Sequence, residues 1–226
     1  MAGLALQTPP ALAQLEDANI VFSAPPPPPD KGTPGGRAAG GAGRGACTNY
    51  EALQALMPTV NGVVYSQTAE AFPTFWFYLP TALEAGMSLE LVIQDANDEF
   101  VYITEIANLP IEAGLIRISV PSTATPLEIE QLYTWTFSVQ CDRATAGVIF
   151  VNGTIERVPA IAVATDPPTL EQASHLAKAG LWHEALTEVA EVYQQDVTNS
   201  EVTTAWETLL EQGNVPQIAL EDGQAF

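Results

Sequence analysis

The sequence predicts an antiparallel β-sandwich, Ig-like or jelly-roll-like, followed by a small carboxy-terminal helical bundle. Three observations lead there. Between Cys47 and Val158, six or seven short stretches alternate apolar and polar residues and are separated by turn signals. No helical pattern interrupts them, whereas a parallel sheet needs a crossover of about a dozen residues. After Pro159 the apolar spacing changes from two to three and four, the period of amphipathic helices.

The strand region centres on Ala71–Pro80, AFPTFWFYLP, the densest aromatic run in the chain. Phe72, Phe75, Trp76, Phe77 and Tyr78 read as a strand that a core must cover. Pro73 and Pro80 cannot donate a ladder hydrogen bond and mark its ends. Upstream, Tyr50–Met57 fits either a short strand or a helical turn, and Val60–Tyr65 turns at Asn61-Gly62. Ser88–Gln94 alternates Leu89, Leu91 and Ile93 with Ser88, Glu90 and Val92. A polar turn, Asp95 to Asp98, leads into Glu99–Ile106, and Leu115–Val120 follows. Leu132–Cys141 is the cleanest amphipathic strand. Tyr133, Trp135, Phe137 and Val139 lie on one face, with Thr134, Thr136, Ser138 and Gln140 on the other. Val148–Val158 is the last strand, with Asn152-Gly153 as a bulge or a tight turn.

Three helices then follow. Thr169 caps the first, with Gln172 in the capping-box position, and Gly180 stops it. The second, from Leu181 to about Gln195, carries Trp182, Ala185, Leu186, Val189 and Tyr193 on one stripe. Asn199 or Ser200 caps the third, whose stripe is Val202, Ala205, Trp206, Leu209 and Leu210, and Gly213 ends it. Short connections make the three pack antiparallel, with Val215 and Ile218 tucked beneath. The first two, around Gly180, look like one tetratricopeptide-type hairpin. A single such repeat cannot bury its face alone, and a helical cap on the sandwich is the plainer reading beside a peptide-binding hairpin.

Before Cys47 the composition differs. Residues 1–46 read as a disordered, Pro/Gly-rich tether, with five consecutive prolines (Pro25–Pro29) and a Gly/Ala-rich run. Ala11-Leu12-Ala13 has the small-x-small form of a secretory cleavage site, so residues 1–13 are expected to be the remnant of a signal peptide. The domains expected are therefore a tether over 1–46, a sandwich over 47–158 and a three-helix subdomain over 159–226 packed on it.

Acidic residues number 27 against 7 basic ones, a net charge of −20, all of it carried from Cys47 onward. Such a surface repels phosphate backbones and anionic headgroups, which argues against nucleic acid and peripheral membrane partners. The chain shows no integral membrane segment. The two cysteines, Cys47 and Cys141, suit a single disulfide in an oxidising compartment. Periplasmic or extracellular localisation is expected, with the cytoplasm as the alternative if Met1 is the true start.

Candidate chemistry is sparse. His175 and His183 lie on neighbouring helices and need a third metal ligand, such as Glu171, Glu184 or Glu188. Their plainer reading is surface or interfacial histidines. Asp95, Asn97, Asp98 and Glu99 group oxygen ligands in a turn without the spacing or central glycine of a calcium loop, so a solvated turn is expected. Ser66, Ser88, Ser119, Ser122 and Ser138 stand in no nucleophile-elbow context, and Asn152-Gly153-Thr154 matches a glycosylation sequon of a kind common by chance. Trp76 and Trp135 are expected in the core, with a sugar-stacking platform as the sharper alternative. No catalytic, cofactor or metal residues are assigned, and no cofactor is expected.

Several segments together resemble an uncharacterised family of exported cyanobacterial proteins, domain of unknown function 928. They are the GTPGGRAAGGAGRGAC run, the strand PTFWFYLP, LYTWTFSVQCD, VNGTIERV, and the helices AGLWHEAL and AWETLLEQG. The resemblance spans roughly Pro25 to Gly213. Members usually begin with a complete signal peptide, and usually read Gly-Trp where this chain has Asn152-Gly153-Thr154. The resemblance implies fold extent and compartment and carries no mechanism. The function expected is a non-catalytic extracytoplasmic module that binds a protein or a cell-envelope polymer. A carbohydrate-binding module using sheet aromatics and a loop-built hydrolase are the alternatives.

Overall fold

The computed structural model describes residues 20–29, 36–40, 45–107, 110–142, 147–162 and 168–218. The Ala11-Leu12-Ala13 triplet and the glycines at 41 and 43 lie outside them. A 3-10 segment, Gly45–Tyr50, leads into nine strands: β1 (Gln54–Ala55), β2 (Thr59–Val60), β3 (Val63–Thr68), β4 (Thr74–Leu79), β5 (Ser88–Gln94), β6 (Phe100–Ala107), β7 (Gly114–Ser119), β8 (Gln131–Asp142) and β9 (Gly147–Arg157). Three helices follow, α1 (Leu170–Lys178), α2 (Trp182–Gln195) and α3 (Ser200–Gln212). The Tyr50–Met57 ambiguity thus resolves as a 3-10 end followed by a two-residue strand.

The strands form two open sheets, a small one ordered β1-β4-β7 and a large one ordered β2-β3-β9-β8-β5-β6, followed by the three-helix bundle. The sandwich expectation needs one correction. The pair β3–β9 is parallel, Tyr65 to Thr68 beside Thr154 to Arg157, so the large sheet is mixed. No dedicated crossover helix was needed, because the intervening strands themselves make the crossover between Thr68 and Gly147. The β2–β3 hairpin turns at Asn61 (φ 52°) and Gly62 (φ 79°), the left-handed pair that a two-residue hairpin loop demands.

Strand β4 is buried on both faces, which is why its aromatics run without alternation. On one side Phe77 stacks on Phe137 of β8 at 3.8 Å, and Phe75 meets Trp135 edge-on at 6.0 Å. On the other side Trp76 faces the helices. Its ring meets Trp206 at 6.5 Å, and its indole N–H donates to Thr187 Oγ1 at 2.9 Å. The small sheet is therefore a middle layer between the large sheet and the bundle, and Trp76, Trp135, Trp182 and Trp206 are all buried. The Trp182 indole donates to the Leu56 carbonyl at 2.8 Å and ties α2 to the chain just after β1. Helix α1 starts on Thr169, whose hydroxyl accepts from the Gln172 N–H, and α3 starts on Asn199, whose side chain accepts from the Glu201 N–H.

Two departures concern glycine. Asn152-Gly153 is neither bulge nor turn. Both residues pair in register within β9, Gly153 directly opposite Trp135. A Cβ on Gly153 would lie 2.7 Å from Trp135 Cζ2 and 2.6 Å from Val64 Cγ1, so the glycine makes room for the indole. Gly153→Ala should cost on the order of 1–3 kcal/mol by overpacking, read as a lower urea midpoint at unchanged slope. No shift in midpoint would show that Trp135 moves aside freely.

The second departure lies in the stretch read as a tether. Arg37 pairs backbone to backbone with Asn152 of β9, and Ala39 bridges to Gln54 of β1, so this segment laces the two sheets together. Further upstream, Ile20 and Phe22 are buried and Phe22 packs edge-on against Trp182 at 4.8 Å. A low-complexity composition did not prevent order here, because a few apolar residues and close-packing glycines suffice to dock an extended segment.

Candidate functional site

A cleft of about 260 Å³ opens where the β3–β4 connection meets the first two turns of α2. Glu70, Glu184 and Glu188 line it, with Thr68, Thr187 and the ring of Phe72. Strand β3 ends at Thr68, and the chain then turns so that two successive backbone N–H groups face α2. Glu184, in the first turn of α2, receives them. Its Oε1 accepts from Thr68 Oγ1 at 2.7 Å, Ala69 N at 2.7 Å and Glu70 N at 3.1 Å. A carboxylate in a helix's first turn is also favoured by the helix dipole. Its other oxygen, Oε2, has neither solvent contact nor a hydrogen-bond partner. Burial pushes the Glu184 carboxyl above its usual range, against the hydrogen bonds from Thr68, its own N–H, Ala69 and Glu70 that pull it down. Glu188 is raised as well, first by burial, while the Thr169 N–H, 3.0 Å from Oε1, lowers it and neighbouring Glu191 raises it further.

His183 also lines the cleft, and its side chain is buried. Its Nδ1 lies 2.8 Å from the Thr74 carbonyl, which can only accept, so Nδ1 carries the proton. Nε2 then accepts from Ser66 Oγ, also at 2.8 Å. Burial holds the imidazole down at about 4, opposed by the Thr74 carbonyl, so it is neutral at pH 7. Its folded pKa lies below the unfolded value of 6.5, so this contribution to stability is complete above pH 6.5. It is lost as pH falls from 6.5 towards 4, by about 3 kcal/mol in all. Glu184 acts in the opposite direction, because its raised pKa favours the fold as pH falls. Urea midpoints at pH 7.5 and 4.5 should therefore fall more steeply for the natural chain than for His183→Gln, whose amide can still donate to Thr74 and accept from Ser66. Equal acid sensitivity would refute the assignment.

The other residues singled out in the sequence do not gather here. His175 is exposed on α1, and His183 is buried at the interface where α2 meets β3 and β4, in keeping with their reading as surface or interfacial histidines. Among the described residues no group of three or more His, Cys, Asp or Glu is placed to hold a metal ion. In the Asp95 turn, Asp95 Oδ1 accepts from Asn97 N at 2.8 Å and Glu99 N at 2.9 Å, the bonding of an acidic side chain that closes its own turn. Trp76 and Trp135 are both fully buried, which removes them as a stacking platform. Asn152 stands half-buried in mid-strand. Cys47 and Cys141 form a disulfide with Cα atoms 5.4 Å apart.

The family resemblance is now decided by comparison: residues 39–222 match the family described as Domain of Unknown Function (DUF928). The chain belongs to the DUF928 family. Within this DUF928 chain the match spans both sheets and all three helices, and thus every residue of the cleft. No curated protein matches it. Among solved structures, it is similar to CopC from Methylosinus trichosporium OB3b at 12% identity, covering 44% of this chain and 89% of that one, with a TM-score of 0.32. It is also similar to a Bacteroides uniformis beta-glucuronidase at 16% identity, covering 45% of this chain and 12% of that one, with a TM-score of 0.25. Both scores are too low to carry an argument about this DUF928 chain. No described helix is long and apolar enough to cross a membrane.

Sequence reasoning named Glu184 and Glu188 only as spare metal ligands, and missed Thr68, Glu70 and the Ser66–His183 bond. Ser66 and His183 stand 117 positions apart, and no local pattern announces such a pair.

Proposed function

We propose that this DUF928 chain is an extracytoplasmic, non-catalytic interaction module that engages a cationic partner from the cell envelope through the carboxylate cleft. The observation that carries the reading is a cleft lined by three carboxylates on a chain of net charge −20, with no cation of its own. No arginine lines the cleft, and the described ones have other partners. Arg37 lies over Phe150, Arg117 pairs with Glu191 at 2.8 Å, and Arg157 donates to the carbonyls of Ala69 and Leu127. The disulfide supports an oxidising compartment. Against the hydrolase alternative stands the burial of Ser66, 1% exposed, which keeps its hydroxyl from any substrate. His183 is oriented by a carbonyl, so no carboxylate is placed to stabilise an imidazolium.

The full chain, disulfide intact, should retain an envelope component on a column at low salt and release it as salt rises. Glu70→Gln with Glu188→Gln should abolish retention. Retention that is absent, or indifferent to the two substitutions, sinks the proposal. Alkylation of acid-quenched, denatured cells should leave Cys47 and Cys141 unmodified until a reductant is added, and free thiols would contradict the compartment.

A further inference from the structure

We infer that the cleft is a recognition site for a primary alkylammonium group, which takes its place against Glu184 Oε2. The inference rests on the interaction-module reading and narrows it to a chemical class. Three features of the site select that class. Glu184 presents one oxygen already saturated by Thr68, Ala69 and Glu70, and a second that is buried without any partner. A buried carboxyl oxygen left unpaired costs on the order of 1–3 kcal/mol, which a donor from a ligand recovers. Glu184 lines the cleft and is only part-buried as a residue, but Oε2 is covered, so the ligand must turn the soft terminal torsion of the side chain to reach it.

A cationic donor is favoured, because Glu70 and Glu188 add acidic groups to the same walls. A metal ion fits poorly, since these carboxylates do not converge to ligating positions. An ammonium asks for less. It offers three N–H donors on a compact head, which suits one carboxylate at close range and two at longer range. Thr68 and Thr187 line the site beside them, and Phe72 offers an apolar side chain for the methylene stem. The space, about 260 Å³, admits a lysine-sized side chain or one amino-sugar ring.

Titration calorimetry at low salt tests this with two ammonium probes on the full chain, Nα-acetyl-lysine methylamide and glucosamine. The expected result is saturable one-to-one binding of at least one of them. The neutral Nε-acetylated form of the first should not bind. Glu184→Gln keeps an oxygen for the three donors but places an amide where Oε2 was. It should melt near the natural chain and bind roughly ten- to a hundredfold more weakly, the size of one charge-assisted hydrogen bond. Glu188→Gln, a change at the rim, should weaken binding less and provides a second reading if the first variant folds poorly. Binding of the lysine probe alone assigns a protein or peptide source, and binding of glucosamine alone assigns an amino-sugar polymer.

No saturable binding, equal binding by Glu184→Gln, or several ions bound per chain would overturn the inference, the last because it reports screening of the overall charge. The two proposals fail separately. Envelope retention that survives Glu184→Gln and excess probe refutes the ammonium site and leaves the module. Saturable probe binding without envelope retention does the reverse.

Discussion

Replacing Cys47 and Cys141 together by alanine should destabilise the chain by about 4.7 kcal/mol, the chain-entropy value for closing a loop of 94 residues. That is a large part of the stability of an ordinary domain, which is roughly 5–15 kcal/mol. The bond joins the 3-10 segment ahead of β1 to the end of β8, so it ties the entry of the small sheet to the centre of the large one. Both cysteines are buried, Cys47 at 1% and Cys141 at 6% exposure, and alanine avoids placing a hydroxyl in their stead. The urea midpoint of the double variant should match that of the natural chain with reductant, which isolates the cross-link from the side chains. A loss below about 1 kcal/mol would mean that sheet pairing alone holds the two ends together. A loss near the full value makes the fold depend on a compartment where the bond survives, which is the physical content of the export expectation.

Local chemistry was legible in the sequence, and choice among distant partners was not. The alternation in β8 named its inward face correctly: Tyr133, Trp135, Phe137 and Val139 are all buried. Asn61-Gly62 named its hairpin, and Thr169, Asn199 and Gly213 bounded their helices. Each of these signals lies within a few residues of its effect. The parallel β3–β9 pair could not be read, because nothing in VVYSQT says which edge it joins. Asn152-Gly153 misled for a related reason. The dipeptide is a turn signal, yet the glycine is there for Trp135, which stands opposite it on β8. The cleft is harder still. Glu184 acquires its character only when the end of β3 turns two N–H groups towards it, and neither segment carries a mark of the other.

The Gly/Ala and Pro-rich composition before Cys47 predicts that nothing there matters to stability, and Phe22→Ala tests that most severely. The expected loss is about 3–5 kcal/mol, the range for emptying a buried aromatic site. Phe22 is 8% exposed and packs on Trp182, which is itself anchored to Leu56. The segment is held by its backbone as well. The Gln212 side chain accepts from the Phe22 N–H and donates to the Ile20 carbonyl at 3.0 Å, and the Ser23 N–H donates to the Ala177 carbonyl at 3.0 Å. The same segment passes close over the α1–α2 turn. A Cβ on Gly180, at φ 79°, would stand 3.0 Å from the Ser23 carbonyl, so the glycine serves both the left-handed turn and the approach of the segment above it. An extended stretch thus closes the seam between α1 and α3 and completes the bundle's core. Val21, pointing outward at 44% exposure, is the matched control, and Val21→Ala should change stability by less than about 0.5 kcal/mol. Hydrogen exchange should show the Phe22 and Ser23 amides protected with the helices rather than exchanging at once. If Phe22→Ala is as mild as Val21→Ala, the segment is an ornament on a bundle that folds without it. If it is as costly as expected, the folded unit includes Ile20 to Ser23, well before Cys47.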